Sequence, residues 1–194
     1  MESFDLNFKN NEKVKKGSLL ISDPFLADRY FGRSVVLICG YGKEGAFGFV
    51  LNHYLDVDLH KLDEQFPDIQ ARISLGGPVD KEHLFFIHTL GNRIDGSTSL
   101  YNGIFYGGDF EQLNRLFETE PNTSGKVRFF IGYSGWSEGQ LEQEIKESSW
   151  LPVNNITTEI IMDTKIDKLW ETCLEKQGKR FKIISKFPRN PEDN

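Results

Sequence analysis

The sequence predicts a single α+β domain. Runs of strand length rich in β-branched and aromatic residues come in groups, and helical stripes fall between the groups without a regular βαβ alternation. The 194 residues, 38% hydrophobic with 16 Phe, are enough for one sizeable core that offsets the entropy of ordering. Organisation along the chain is simple: a polar extension over residues 1–16, a domain over 17–187 and a polar tail over 188–194.

Gly17–Ser22 reads as the first strand, broken by Pro24. Ser34–Cys39 is β-branched and apolar, and Ala46–Leu51 is a partner strand. The intervening Gly40–Gly45 carries turn chemistry, so the two form a hairpin whose glycines take positive φ. Leu59, Leu62 and Phe66 fall at helical spacing and Pro67 closes that short helix. Ile73–Leu75, Leu84–His88 and Ile104–Tyr106 are short strands. Asp109 caps a helix with Gln112 at the reciprocal position and Phe110, Leu113, Leu116 and Phe117 on its apolar face. Val127–Tyr133 is the longest strand signal. It runs into Ser134-Gly-Trp136 and a capping-box pattern, Ser137 with Gln140, for a helix over 138–148. Ile166, Leu169, Trp170, Cys173 and Leu174 form a helical stripe over 166–176, with Thr164 as cap and Gly178 as stop. Phe181–Ser185 reads as a final strand.

Composition removes several function classes. No run approaches the roughly 18 apolar residues of a membrane span, and Met1–Lys16 lacks the apolar region of a secretory signal. A cytoplasmic protein is expected, with Cys39 and Cys173 as two buried reduced thiols. The net charge of −6 opposes non-specific contact with nucleic acid, and no basic recognition helix is present. The one basic segment, Lys176 to Arg189, reads as a solvated face near a chain end.

Familiar motifs fail on context. Gly40-x-Gly42-x-x-Gly45 spells a dinucleotide fingerprint, but the third glycine opens a strand where the pyrophosphate needs a helix N-terminus. Gly132-Tyr-Ser134-Gly-Trp136 resembles a nucleophile elbow with Trp136 where that strained turn needs a glycine. The four histidines and two cysteines show no metal-ligand spacing, so neither a metal nor a cofactor is expected.

Five segments together resemble the AlgH/YqgE family of small bacterial proteins. They are Gly17–Pro24 with Phe31–Leu37, then Gly45–Asn52, then Leu75–Val79 with Ile87-His88, then Gly132–Glu142 with Glu144 and Trp150, and last Leu169-Trp170. Their order and spacing extend over Gly17 to Phe187. The resemblance implies coiled, branching, mostly antiparallel sheets, partly barrel-like, with about four helices around them. It implies a cytosolic protein and no established chemistry; some members carry the label of transcriptional regulator. The chain departs from the family pattern at Cys39-Gly-Tyr41, where an acidic residue and a histidine are usual, and at His53-Tyr54, where Arg-Pro is usual.

Two functions from different classes follow. One is a non-catalytic binding or regulatory module, whose partner is a protein or a small anionic ligand. Its candidate residues lie at strand ends: Arg33, Ser34, Asn52, the Gly76-Gly77-Pro78 turn, Trp136, Gln140 and Glu142. Arg33 suits a carboxylate or phosphate. The other is a small-molecule enzyme with its pocket near Arg33, Asn52 and Gly132–Glu142, which needs a convergent titratable pair such as Arg33 with Glu142 or Ser134 with His88. No catalytic residue is assigned. The competing scaffold reading has Arg33 paired with Glu142 or Glu144, the glycines as tight turns and Trp136 as core.

Overall fold

Strands buried on both faces organise the molecule. The structure is a computed structural model and describes residues 8–188 apart from 63, 65 and 70. In chain order the elements are β1 (Leu19–Ser22), β2 (Val35–Gly42), β3 (Gly45–Val50), β4 (Tyr54–Leu55), α1 (Leu59–Leu62), β5 (Ile73–Leu75) and β6 (Val79–His88). Then come β7 (Thr98–Tyr101), β8 (Ile104–Tyr106), α2 (Phe110–Thr119), β9 (Val127–Trp136) and α3 (Gln140–Lys146), followed by β10 (Trp150–Val153), α4 (Thr158–Met162), α5 (Leu169–Glu175) and α6 (Lys179–Ile184).

The strands join in one sheet of order β10-β1-β2-β3-β9-β6-β8-β7, with β5 branching from β9 and β4 pairing β5. All pairings are antiparallel except β5 with β9. The sheet path has two ends, so the branching, coiled sheet is not closed into a barrel.

Alternation along β1 and β2 sends side chains to two different cores. Leu19, Ile21, Val35, Leu37 and Cys39 enter one that α4, α5 and α6 complete through Ile161, Trp170, Leu174 and Ile184. Leu20, Val36 and Ile38 enter a second, closed by Trp136, Leu141 and Trp150. A third core holds Phe86, Phe129 and Val127 from β6 and β9 under Leu113 and Phe117 of α2. Burial on both faces is why these strands read as continuous apolar runs rather than alternating ones.

Two corrections follow from packing. Phe181–Ser185 is not a strand: α6 occupies that stretch, burying Phe181 and Ile184 at helical spacing and leaving Ile183 38% exposed. Docking against α5 overrides the β-branched composition. The helix over 166–176 is shorter than its stripe; Lys168 occupies the cap position and Thr164 lies outside it. Asp109 caps α2 as expected, accepting from the Gln112 backbone N–H at 3.0 Å, but the Gln112 side chain turns away to pair with Asp95.

Segment 8–16 is stitched to β10: Asn10 donates to the Pro152 carbonyl at 2.6 Å, Glu12 accepts from the Asn154 N–H at 2.7 Å, and Phe8 enters the first core. Residues 1–7 and 189–194, including Arg189 of the basic segment, lie outside the described residues. Within that segment Lys176, Lys179, Lys182 and Lys186 are exposed, while Arg180 donates to the Lys9 carbonyl and lies over Phe181. Among the described residues no helix is long and apolar enough to cross a membrane. Cys39 and Cys173 are free and buried, and burial pushes the Cys173 thiol up to about 12.

Candidate functional site

The polar residues singled out by sequence fall into three separate knots. At the start of β2, Asn52 bridges two backbone groups: its Oδ1 accepts from Val35 N–H at 2.8 Å and its Nδ2 donates to the Arg33 carbonyl at 2.9 Å. Ser34 is fully buried, with its Oγ donating to the Phe31 carbonyl. Arg33 itself has φ of +51°, donates to the Phe187 carbonyl and lies 4.8 Å from the Trp170 ring. Its guanidinium therefore anchors the end of the C-terminal helices rather than Glu142 or Glu144.

The second knot surrounds Gly76-Gly77-Pro78. The Gly76 carbonyl accepts from Ser134 Oγ at 2.9 Å and from Val50 N–H at 2.9 Å. A Cβ on Gly77 would stand 2.3 Å from the Tyr133 carbonyl, so glycine is required for this close approach of two backbones. Pro78 then leads into β6.

In the third knot, Glu144 accepts from both buried indoles, Trp136 Nε1 at 2.8 Å and Trp150 Nε1 at 2.7 Å, and from Gln140 Nε2 at 2.9 Å. The Gln140 amide oxygen in turn accepts from Ser137. Glu142 is exposed and accepts from the Tyr41 hydroxyl at 2.7 Å, which pushes the Tyr41 phenol up. Neither titratable pair considered for an enzyme meets: Ser134 donates to Gly76, and His88 bonds Ser97 at 2.9 Å while accepting from Leu90 N–H. Burial pushes His88 down.

A different feature has capacity to spare. On one face of the sheet, Phe47 and Phe49 of β3, Tyr133 of β9, Phe85 of β6 and Tyr106 of β8 line a hollow of 370 Å³. These four strands are consecutive neighbours in the sheet. Phe47 meets Phe49, Tyr106 and Tyr133 edge to face, at 6.4, 5.5 and 6.2 Å between centroids and interplanar angles of 86°, 74° and 82°. Phe85 meets Tyr133 at 5.7 Å and 79°, and Phe49 at 5.7 Å and 40°. Phe47, Phe49, Phe85 and Tyr133 thus close a ring of contacts around the hollow, with Tyr106 as a fifth wall. The floor is firm, because Phe49 stacks on buried Phe130 at 4.7 Å and 14°.

The backbone beneath is shaped to admit these rings. A Cβ on Gly40 would stand 2.3 Å from the Phe47 ring, and one on Gly76 would stand 3.1 Å from the Phe49 ring. A bulge between Ile38 and Gly40 interrupts the β2–β3 register beside Phe47. Helices α4, α5 and α6 complete the core on this face of the sheet, and Phe47, Phe85, Tyr106 and Tyr133 remain half-buried at its margin. The sequence places these residues in strands but carries no local mark of which ring stays uncovered.

A second hollow, of 390 Å³, lies between α2 and the looped-out bulge of β6, with Lys81, Glu82, His83 and Glu111 among its lining. Lys81, Glu82, His83 and Glu111 are exposed, and His83 is already engaged by Asp80 at 2.5 Å, which pushes its imidazole up. Among the described residues no three His, Cys, Asp or Glu side chains gather as a metal site.

A family model of AlgH-like proteins matches residues 19–182, which is most of the domain. The chain belongs to the AlgH-like family. It is 42% identical to a UPF0301 protein of Parabacteroides distasonis, over 91% of this chain and 89% of that one. A UPF0301 protein of Chlorobium limicola is 35% identical, over 93% and 96%. Two solved structures are similar at 22% identity. A crystal structure of a Corynebacterium diphtheriae protein has a TM-score of 0.75, covering 92% of this chain and 95% of its own. The solution structure of AlgH from Pseudomonas aeruginosa has a TM-score of 0.69, covering 92% and 98%. These establish the fold of this AlgH-like chain, and none brings a reaction with it.

Proposed function

We propose that this AlgH-like protein is a non-catalytic, cytoplasmic binding module whose ligand site is the aromatic recess on β3, β9, β6 and β8. The observation that carries this is the contrast in saturation. Asn52, Ser134 and Glu144 spend their hydrogen bonds inside the protein, whereas five aromatic rings stand around an open hollow of 370 Å³. That volume lies within the range of small-molecule sites, about 300–1,000 Å³. It suits a ligand of one or two rings and is too small for a folded partner. With no charged residue in the lining, the recess favours an apolar group over an anion. The cytoplasmic placement rests on the two free thiols, which a reducing compartment keeps unpaired. Any influence on transcription would pass through the occupant of the recess, since a net charge of −6 disfavours duplex DNA.

The test is thermal unfolding of the full chain against neutral one- and two-ring probes, indole first. At a hundred times its dissociation constant a ligand adds about 2.7 kcal/mol, worth roughly 5–10 °C in midpoint for a chain of this size. The increase should vanish in Phe85→Ala. A flat response to every probe sinks the reading.

A further inference from the structure

We infer that the recess is built for a quaternary ammonium group. This rests on the recess being the binding site and goes one step further, to the charge of what it holds. All five lining residues are aromatic, although aromatic residues make up only 13% of the chain. The first core, to which Phe49 belongs and against which the other four rings pack, mixes rings with Leu, Ile and Val, as do the other two. If the hollow needed only apolar surface, aliphatic side chains would supply it. Rings add a negative π face that attracts cations. Four of the five contacts among these walls are set at 74° to 86° and the fifth at 40°, so the ring planes turn in different directions around the space.

The missing hydrogen-bonding groups narrow the class of cation. The lining holds no Asp or Glu, and the only polar side-chain groups in it are the phenols of Tyr106 and Tyr133. A primary ammonium or a guanidinium would forfeit its hydrogen bonds to water on entering and could regain at most those to the two phenol oxygens. A quaternary ammonium has no N–H to satisfy and keeps the full attraction of the rings. Elsewhere the protein already uses rings in this way: Arg72 lies 3.7 Å from the Tyr54 centroid and Arg33 lies 4.8 Å from that of Trp170. Among the described residues no Lys or Arg lies over any of the five recess rings. The net charge of −6 adds a long-range attraction of the right sign.

The experiment compares choline with the alcohol in which a tert-butyl carbon replaces its nitrogen, a neutral group of the same shape. Binding to the wild-type chain is followed by the proton shift of the methyl groups, which ring currents move upfield inside the recess. Choline should bind about tenfold or more tightly than the neutral analogue. Phe47→Leu and Tyr106→Leu, on separate strands, each keep an apolar wall and remove a π face. Either should weaken choline severalfold and leave the neutral analogue unchanged. Equal or tighter binding of the neutral analogue overturns the cation assignment and leaves the apolar site standing. Binding of neither choline, its analogue nor indole removes both. Capture by phosphatidylcholine vesicles without a response to free choline would move the site to a lipid surface and overturn the soluble ligand.

Discussion

The Glu144 knot and the aromatic recess share β3 and β9 but belong to different cores, the knot to the second and the recess to the margin of the first, and they are built on opposite terms. In the knot one carboxylate holds two indole N–H groups and an amide, and the rings it orders are 5% and 2% exposed for Trp136 and Trp150. In the recess five rings are ordered by each other and by glycines; Phe49 is buried as the floor, and the other four are only half-buried. The knot is a device for rigidity: every polar group has its partner, and removing one leaves others stranded. The recess is a device for contact: its rings are held firmly but have not spent their surface. Chemically eloquent residues such as Arg33, Asn52, Trp136 and Gln140 can therefore be scaffold, while plain phenylalanines carry the binding surface.

The comparison breaks most visibly at Glu144. Glu144→Ala strands two buried indole N–H groups that were bonded to a charged acceptor, at a cost of about 3 kcal/mol or more. The unfolding midpoint should fall by about 6–12 °C, while indole still binds whatever remains folded. A midpoint within error of wild type would mean the knot is not the clasp that its geometry describes.

A smaller effect separates the two faces of a single strand. His88 sits on β6 with no exposed surface, while Phe85 three positions earlier lines the recess. Because burial holds His88 neutral, its folded pKa lies below the unfolded value of about 6.5. As pH falls through that unfolded value, the unfolded chain takes up the proton first. Stability is therefore complete above about 6.5 and declines below it, by at most about 1.4 kcal/mol per pH unit from this group. Urea midpoints should fall on acidification, and His88→Asn should flatten that slope. Indole binding should stay level over the same range, since no Asp, Glu or His lines the recess. Parallel pH dependence of both would tie the two faces together.

The reach of the sequence can be read from the same residues. The β2–β3 hairpin, β9 and α2 were legible because each has a long periodic or β-branched signal and turn or cap chemistry at its ends. Five elements were not: β4 and α4, of two and five residues, along with β7, β10 and α6. The strand β10 contains Pro152, which argues against a strand, and it survives at the sheet's end, where its outer side is met by Asn10. The strand β7 is polar, and α6 carries β-branched residues that only its packing on α5 makes helical. The aromatic recess is a non-local object. Its walls come from sequence positions 47 to 133, and only the strand order brings them to one face. The one local trace was Gly40 and Gly76, read as turn residues: a Cβ on Gly40 would meet the Phe47 ring at 2.3 Å, and one on Gly76 would meet the Gly132 carbonyl at 2.3 Å and the Phe49 ring at 3.1 Å.

That trace yields the finest test of the comparison. The φ angle at Gly40 is not in the left-handed region, so alanine there carries no backbone strain of its own. Its Cβ would meet the Phe47 ring at 2.3 and 2.6 Å, and the far end of a side chain can swing aside. At Gly77 the same atom would meet the Tyr133 backbone at 2.3 Å, where nothing can swing. Gly40→Ala should therefore cost only about 1 kcal/mol, or roughly 2–4 °C in midpoint. The displaced ring moves away from β2 and into the hollow, filling the space a ligand would take. The expected result is a folded protein, nearly as stable as wild type, whose unfolding no longer responds to indole. Full retention of the response would show that Phe47 is not a wall of the site. Loss of folding would show that the glycine serves the β2–β3 bulge rather than the ring.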